Sequence, residues 1–109
     1  MELAERYMGI LYGGGRLEEL EELLADDLKF EGPLFKFGSA REYIDSLKAD
    51  PPEGFGYQLI RAWEDETSAC LVYMFSKPGV TTPMAQYFQT DGGRITRILL
   101  VFDTGAFMG

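Results

Sequence analysis

The C-terminal hairpin decides the fold: residues 87–103 read YFQTDGGRITRILLVFD. Two apolar runs flank the string DGG, which is a turn signal at which an antiparallel hairpin reverses. In the second run Ile98, Leu100 and Phe102 alternate with two further apolar residues. Because successive side chains point to opposite sides of a strand, we expect both faces of this last strand to be covered.

More strands are predicted upstream of this hairpin. The segments 55–64, 68–77 and 83–90 carry aromatic and β-branched residues, and the strings EDET and KPGVTTP separate them. Turn residues at this spacing predict hairpin connections between neighbouring strands. The second half of the chain is therefore predicted to be a four-stranded antiparallel meander.

The first half of the chain has helical patterns. Residues 2–12 and 16–27 place apolar side chains at helical spacing, and residues 27–31 alternate like a half-buried strand. Ser39, with Glu42 three residues later, forms a capping box that predicts the start of a third helix.

This order of elements predicts an α+β fold. Three N-terminal helices are expected to pack in the concave face of a strongly curved, mainly antiparallel sheet. No linker or repeat divides the chain, so residues 1–109 are expected to form a single domain. The convex face, with its own apolar residues, is expected to bury itself in a homodimer.

Composition excludes several classes of function. The net charge of −8 disfavours nucleic-acid binding, because it repels phosphate backbones. No apolar run approaches the ~20 residues of a membrane helix, so we expect no membrane partner. The single cysteine, Cys70, cannot form an intramolecular disulfide, which favours a reducing, cytoplasmic location.

Chemistry is limited by the absence of histidine. With 0 histidines, the chain cannot use Ser-His or Cys-His nucleophiles, and the carboxylates lack the spacing of metal ligands. We therefore expect neither metal nor cofactor. Any acid–base chemistry is left to carboxylates, tyrosines, lysines or the thiol.

The strings ERYMGILYGG, RLEELEELLADDLKFEGPL, FGSAREYIDSL and YFQTDGGRITRILLVFD, taken in this order, resemble the nuclear transport factor 2-like (NTF2-like) superfamily. Its cone-shaped fold is shared by ketosteroid isomerases and SnoaL-like polyketide cyclases. The resemblance spans essentially the whole chain and implies the same cone here. It implies less about function, since this fold hosts enzymes, binding modules and scaffolds.

The resemblance implies three catalytic candidates. Tyr7 matches the tyrosine with which ketosteroid isomerases bind an oxyanion, and Gln86 occupies the place of their second donor. Asp103 matches the proposed acid–base aspartate of SnoaL-like cyclases. At the position of the isomerase base this chain has Gly32, and the neighbouring Glu31 is expected to point outward.

Large apolar residues on the strands are candidates for lining a ligand pocket. The predicted ligand-binding residues are Phe30, Trp63, Phe88, Leu100 and Phe102, with Tyr57, Tyr73 and Phe75 as further wall candidates. All of these could equally be ordinary core residues. Arg61 is two residues from Trp63, so both side chains are expected on the same face of the strand. Arg61 is expected either in the pocket beside Asp103 or on the convex face.

Two functions remain open from the sequence. One is a cofactor-free isomerase, cyclase or hydrolase that acts on a small carbonyl or polycyclic compound, with Asp103 as base and Tyr7 and Gln86 polarising an oxygen. The other is a non-catalytic pocket for a small hydrophobic molecule, or a dimeric interaction module. Gly32 and the missing histidines favour the second, and Asp103 could simply end the last strand and face water.

Overall fold

A six-stranded mixed sheet wraps around the helices in the computed structural model of this protein, which describes residues 1–108. In chain order the elements are α1 (Glu2–Tyr12), a 3₁₀ turn (Leu17–Glu19), α2 (Leu20–Leu23), β1 (Leu24–Glu31), β2 (Lys36–Phe37), α3 (Ala40–Ala49), β3 (Gly56–Glu64), β4 (Ser68–Lys77), β5 (Val80–Asp91), β6 (Arg94–Phe102) and α4 (Gly105–Met108). None of the helices within residues 1–108 is long and apolar enough to cross a membrane.

The sheet has the strand order β2-β1-β6-β5-β4-β3. All neighbouring strands are antiparallel except β1 and β6, which run parallel. The predicted meander of four strands is confirmed as β3 to β6. The α+β class and the mainly antiparallel sheet are confirmed as well.

The concave face of the sheet carries the core. Along β4, Ala69, Leu71, Tyr73 and Phe75 are buried, and the residues between them are only half-buried. The helices cover this face with side chains such as Met8 of α1, which is 0% exposed. The alternation follows from strand geometry, since every second side chain points to the same face.

The second predicted helix is much shorter than expected. Residues 16–27 were predicted to be helical, but only the 3₁₀ turn and α2 form, and β1 already begins at Leu24. Leu24 is fully buried and pairs with Ile95 of β6. The buried Leu20, Leu23 and Leu24 keep helical spacing, so it is the pairing of Leu24 with β6 that ends the helix, and tertiary packing overrides the local helix propensity of this segment.

The start of α3 is fixed by the predicted cap. Ser39 Oγ accepts a hydrogen bond from the Glu42 backbone N–H at 3.2 Å, while Glu42 Oε2 accepts one from the Gly38 N–H at 3.1 Å. Both bonds satisfy amides at the N-terminal end of the helix. The cap thereby sets the rotation of α3, whose buried residues include Tyr43 and Ile44.

A β-bulge in β3 changes which side chains face inward. The pairing with β4 shifts register between Leu59 and Arg61, so one extra residue is inserted there. Before the bulge Tyr57 pairs with the inward Phe75, whereas after it Trp63 pairs with Cys70 on the convex side. The expectation that Tyr57 and Trp63 point to the same face of the strand is therefore wrong, because the bulge lies between them.

Candidate functional site

A pocket of about 400 Å³ lies between α1, α3 and the concave face of the sheet. Its deepest polar residues are Tyr7, Tyr43, Tyr73 and Gln86, all of which are buried; together they are called the polar floor below. Aromatic and aliphatic side chains form the walls, among them Phe30, Phe75, Met84, Leu100 and Phe102. The exposed Leu34, Phe35 and Asp50 and the half-buried Lys77 mark the mouth.

Four secondary-structure elements bring the polar floor together. Tyr7 lies on the buried face of α1 and Tyr43 on that of α3, about one turn after the Ser39 cap. Gln86 lies on β5 two residues from Met84, the register partner of Tyr73 on β4, so Tyr73 and Gln86 are diagonal neighbours on one face.

The polar floor contains two hydrogen-bonded pairs. Tyr73 Oη donates to Gln86 Oε1 at 2.7 Å, and the Tyr7 and Tyr43 hydroxyls share a short hydrogen bond. In the bond between Tyr7 and Tyr43 either hydroxyl can be the donor. Because this bond uses one of the two hydroxyl protons, the other proton is left to bind another acceptor.

Burial keeps the phenols protonated. Loss of hydration is the largest cause that raises the pKa of Tyr7, and the same cause raises the pKa of Tyr43 and of Tyr73 above the ordinary value of 10.0. The pKa of Tyr12, beside Tyr73, is raised by the same cause. At neutral pH these groups are donors, and they do not act as bases.

Two of the three predicted catalytic residues lie in the pocket. Tyr7 and Gln86 belong to the polar floor. Asp103 does not line the pocket: it is exposed, and its Oδ1 accepts a hydrogen bond from the Gly105 N–H at 2.9 Å. The strand alternation that points Phe102 inward explains this position, because it turns the next residue away.

The predicted wall residues divide into three groups. Phe30, Leu100 and Phe102 line the pocket. Phe88 is fully buried behind the floor, with its ring edge-to-face against Tyr7 at 5.2 Å, and contributes packing only. Trp63 was expected in the wall, but the bulge in β3 turns it outward, and it is 48% exposed.

The structure decides between the two positions expected for Arg61, the pocket and the convex face. Its guanidinium lies 5.2 Å from the centre of the Trp63 ring, and its register partner is Val72 on the convex side of β4. Arg61 therefore lies on the convex face with Trp63, away from both the pocket and Asp103.

Gly32 lies beside the pocket wall. A Cβ atom built at this glycine would meet Phe30 Cε1 at 3.5 Å and Leu100 Cβ at 3.8 Å, both of them ordinary contacts. The place that resembles the isomerase base is therefore open to a side chain, and this chain leaves it without one.

Sequence reasoning missed five polar side chains of the pocket: Tyr12, Tyr43, Ser46, Asp50 and Lys77. Tyr43 was not singled out, although an aromatic residue with a polar tip on a buried helix face needs a partner. Lys77 and Asp50 stand at the ends of a strand and of a helix, so their approach to the pocket depends on tertiary packing. Asp50 is the one carboxylate among the lining residues within 1–108.

No cluster of three or more His, Cys, Asp or Glu side chains in the described residues could hold a metal ion. The polar groups of the candidate site are phenols, the Gln86 amide, the Ser46 hydroxyl, and one charge of each sign at its mouth.

Comparison with known proteins was made by sequence and by structure. No protein-family model matches the sequence, and neither does any curated protein. An NTF2-like protein of unknown function from Cytophaga hutchinsonii has a TM-score of 0.83 at 18% identity, over 98% of this chain and 92% of its own.

Two further solved structures are similarly close. A Kribbella flavida protein proposed to be a ketosteroid isomerase has a TM-score of 0.81 at 20% identity, over 94% of this chain and 76% of its own. An LEH-like epoxide hydrolase from M. tuberculosis has a TM-score of 0.81 at 19% identity, over 98% of this chain and 84% of its own. The resemblance found in the sequence is thus confirmed at the level of the backbone, and the chain has the NTF2-like fold.

Proposed function

We propose that this protein binds a small, mostly apolar organic molecule that carries an acceptor oxygen, and that the polar floor holds this oxygen. The observation that carries the proposal is the pairing of two buried hydroxyls in the floor. The buried Tyr7 and Tyr43 hydroxyls share one hydrogen bond, which uses a single proton, so the second hydroxyl proton is left for a ligand.

The chemistry of the floor favours a carbonyl oxygen. Donors set in an apolar pocket recognise acceptors strongly, because an unpaired donor there would lose its hydrogen bond with water. A ketone, an aldehyde or an ester provides the oxygen that such a donor needs. A pure hydrocarbon would leave the donor unpaired.

The walls favour a rigid ring system. The cavity of about 400 Å³ lies at the lower end of the size range of ligand sites, and aromatic and aliphatic side chains form most of its surface. A single ring or two fused rings would pack well against the stacked Phe30 and Tyr43 rings, whose centres are 4.6 Å apart.

Calorimetry with two naphthalenes of equal shape tests the proposal. We expect 2-acetylnaphthalene to bind severalfold, up to about tenfold, tighter than 2-isopropenylnaphthalene, since a hydrogen bond adds this much. Tyr43→Phe should abolish the preference. Tyr57→Phe, at a tyrosine 38% exposed and outside the lining, is the matched control and should retain it. Equal affinities in the native protein would contradict the proposal.

A second candidate is proton transfer on such a ligand, as in cofactor-free isomerases, cyclases and hydrolases. The donors of the floor are suited to stabilise an oxyanion. A base is also needed: Asp103, expected from the resemblance, stands outside the pocket, whereas Asp50 stands at its mouth. Ligand binding therefore remains the better supported function.

Isomerisation of a bicyclic β,γ-unsaturated ketone, followed by the absorbance of the conjugated product, separates the candidates. Loss of turnover in Asp103→Asn alone would support the expected base, and loss in Asp50→Asn alone would assign the base to Asp50. A protein that binds the ketone without converting it is a binding protein.

We also propose a homodimer through the convex face. Trp63 and Val101 are 48% and 55% exposed on this face, and the apolar Val72 and Leu99 stand half-buried between them. Exposed apolar area of this kind is typical of interfaces. Val101→Arg should convert a sedimenting dimer to a monomer. A native protein that sediments as a monomer at micromolar concentration would refute the dimer.

A further inference from the structure

The pocket mouth has one lysine, Lys77, at the last position of β4. Tyr73, Phe75 and Lys77 follow one another at every second residue, so all three point from one face of the strand and all three line the pocket. At roughly 3.3 Å per residue, the Cα atoms of Tyr73 and Lys77 are about 13 Å apart. The strand thus connects the polar floor to the mouth in a single row.

The Lys77 ammonium is held between two aromatic rings. Its Nζ lies 5.0 Å from the centre of the Phe107 ring and 5.8 Å from that of the Phe55 ring, both of which line the same pocket. These cation–π contacts fix a side chain that would otherwise extend freely into water. The charge is therefore positioned before any ligand arrives.

This ammonium has no anionic partner in the part of the chain that the structure describes. The ion pairs found there join the N-terminus to Glu64 and Arg16 to Glu18. Asp50 shares the mouth with Lys77, but its carboxylate lies beyond the 4.0 Å of an ion pair and is exposed, so water screens it. A half-buried cation with no counter-charge is a site for an anion from outside.

We infer that the natural ligand is an organic carboxylate, with its carboxylate on Lys77 at the mouth and its acceptor oxygen at the polar floor. This inference rests on the proposed ligand-binding function and adds the class of ligand to it. A rigid skeleton that spans the pocket, such as two fused rings with a ketone at one end and a carboxylate at the other, presents one group to each end of the site. Neutral ketones would use only half of the site.

The protein's net charge is consistent with a local role for Lys77. At −8 the chain as a whole repels anions, so binding of an acid requires a nearby positive charge to offset this field. Lys77 is the only Lys or Arg among the lining residues within 1–108. Discrimination between an acid and its neutral ester should therefore depend on this one residue.

Calorimetry with 6-acetyl-2-naphthoate and its methyl ester tests the inference. We expect the native protein to bind the acid about tenfold or more tighter than the ester, since a charged hydrogen bond contributes this much. Lys77→Met, which retains an apolar stem over the rings, should remove the difference between acid and ester, and Lys77→Arg should keep most of it. Thermal melting of each variant establishes that the fold is retained.

The outcomes separate this inference from the function on which it rests. Equal affinity of acid and ester for the native protein, an acid preference that survives in Lys77→Met, or no binding of the acid at all would overturn the inference. If 2-acetylnaphthalene binds in a Tyr43-dependent way but the acid binds no better than the ester, the proposed function stands and only the inference fails. If the acid preference depends on Lys77 while Tyr43→Phe has no effect, the inference stands and the role of the floor fails.

Discussion

Breaking the hydrogen bond between Tyr73 and Gln86 from one side should leave a buried polar atom without a partner and destabilise the protein. Tyr73→Phe takes away the donor from Gln86 Oε1, which lies 2.7 Å from the hydroxyl. Gln86 is only 3% exposed, so water cannot easily replace the lost donor. A buried polar atom left without a partner costs about 1–3 kcal/mol.

The magnitude can be expressed as a melting temperature. With an unfolding entropy of about 2.1 cal/mol/K per residue, 1 kcal/mol corresponds to about 4 °C for a chain of 109 residues. Tyr73→Phe should therefore lower the melting temperature by roughly 4–13 °C. Gln86→Leu should cost a similar amount, because it leaves the Tyr73 hydroxyl unpaired.

The double variant decides the question. Replacing both residues removes both polar groups, so its cost should be smaller than the sum of the two single costs by about 1–2 kcal/mol. Tyr57→Phe, at a half-exposed tyrosine, is the control and should change stability by less than about 0.5 kcal/mol. Additive costs in chemical denaturation would refute the view that the floor is a coupled network.

Two further predictions concern stability. Because burial raises the pKa of the floor tyrosines, including Tyr43, the folded protein retains protons above pH 10 that the unfolded chain loses. The contribution of these tyrosines to stability should be constant below pH 10 and fall above it, by up to about 1.4 kcal/mol per pH unit for each tyrosine. Denaturant titrations between pH 8 and 12 measure this slope. If the slope is the same in Tyr43→Phe, Tyr43 does not contribute to the loss of stability above pH 10. Gly9, inside α1, has no atom within 4 Å of the position that a Cβ would take, so Gly9→Ala should raise stability by about 0.5–1 kcal/mol. At Gly13 a Cβ would lie 2.6 Å from the Gly9 carbonyl oxygen, so Gly13→Ala should lower stability by about 1–3 kcal/mol. Thermal melts that rank the two alanine variants in the opposite order would disprove this account of α1.

The elements with a strong local signal were predictable from the sequence. The cap at Ser39 and the alternation of Ile98, Leu100 and Phe102 both depend on neighbouring residues alone, and both appear in the structure. The N-terminal helix 2–12 is confirmed with the same bounds. For these elements the local preference and the tertiary fold agree.

The errors arose where a distant contact changes the local pattern. The bulge after Leu59 changes which side chains of β3 face inward, and no residue in this strand predicts the bulge. Likewise Leu24 continues a helical pattern in the sequence but pairs with Ile95 near the other end of the chain. Such pairings are fixed by the whole sheet, so a single segment cannot reveal them.

The candidate site was predictable only in part, for a related reason. Tyr7 and Gln86 could be identified because the resemblance supplied their positions. Lys77 and Asp50 were not, because their place at the mouth follows from the way β4 and α3 end around one cavity. Asp103 was a candidate because it matched the cyclase position, whereas its exposure follows from the alternation that points Phe102 inward.

The parallel pairing of β1 with β6 has a consequence for how the chain folds. Phe30 lies beside Ile98, so the middle of the sheet joins segments from opposite ends of the sequence. Contacts of this separation raise the contact order, and a high contact order slows folding, because a large loop must close before the contact stabilises anything. On the ribosome, the edge of β1 that faces β6 stays without its partner until β6 has been synthesised. Assembly of the pocket, whose walls include both strands, is therefore a late event in the folding of this protein.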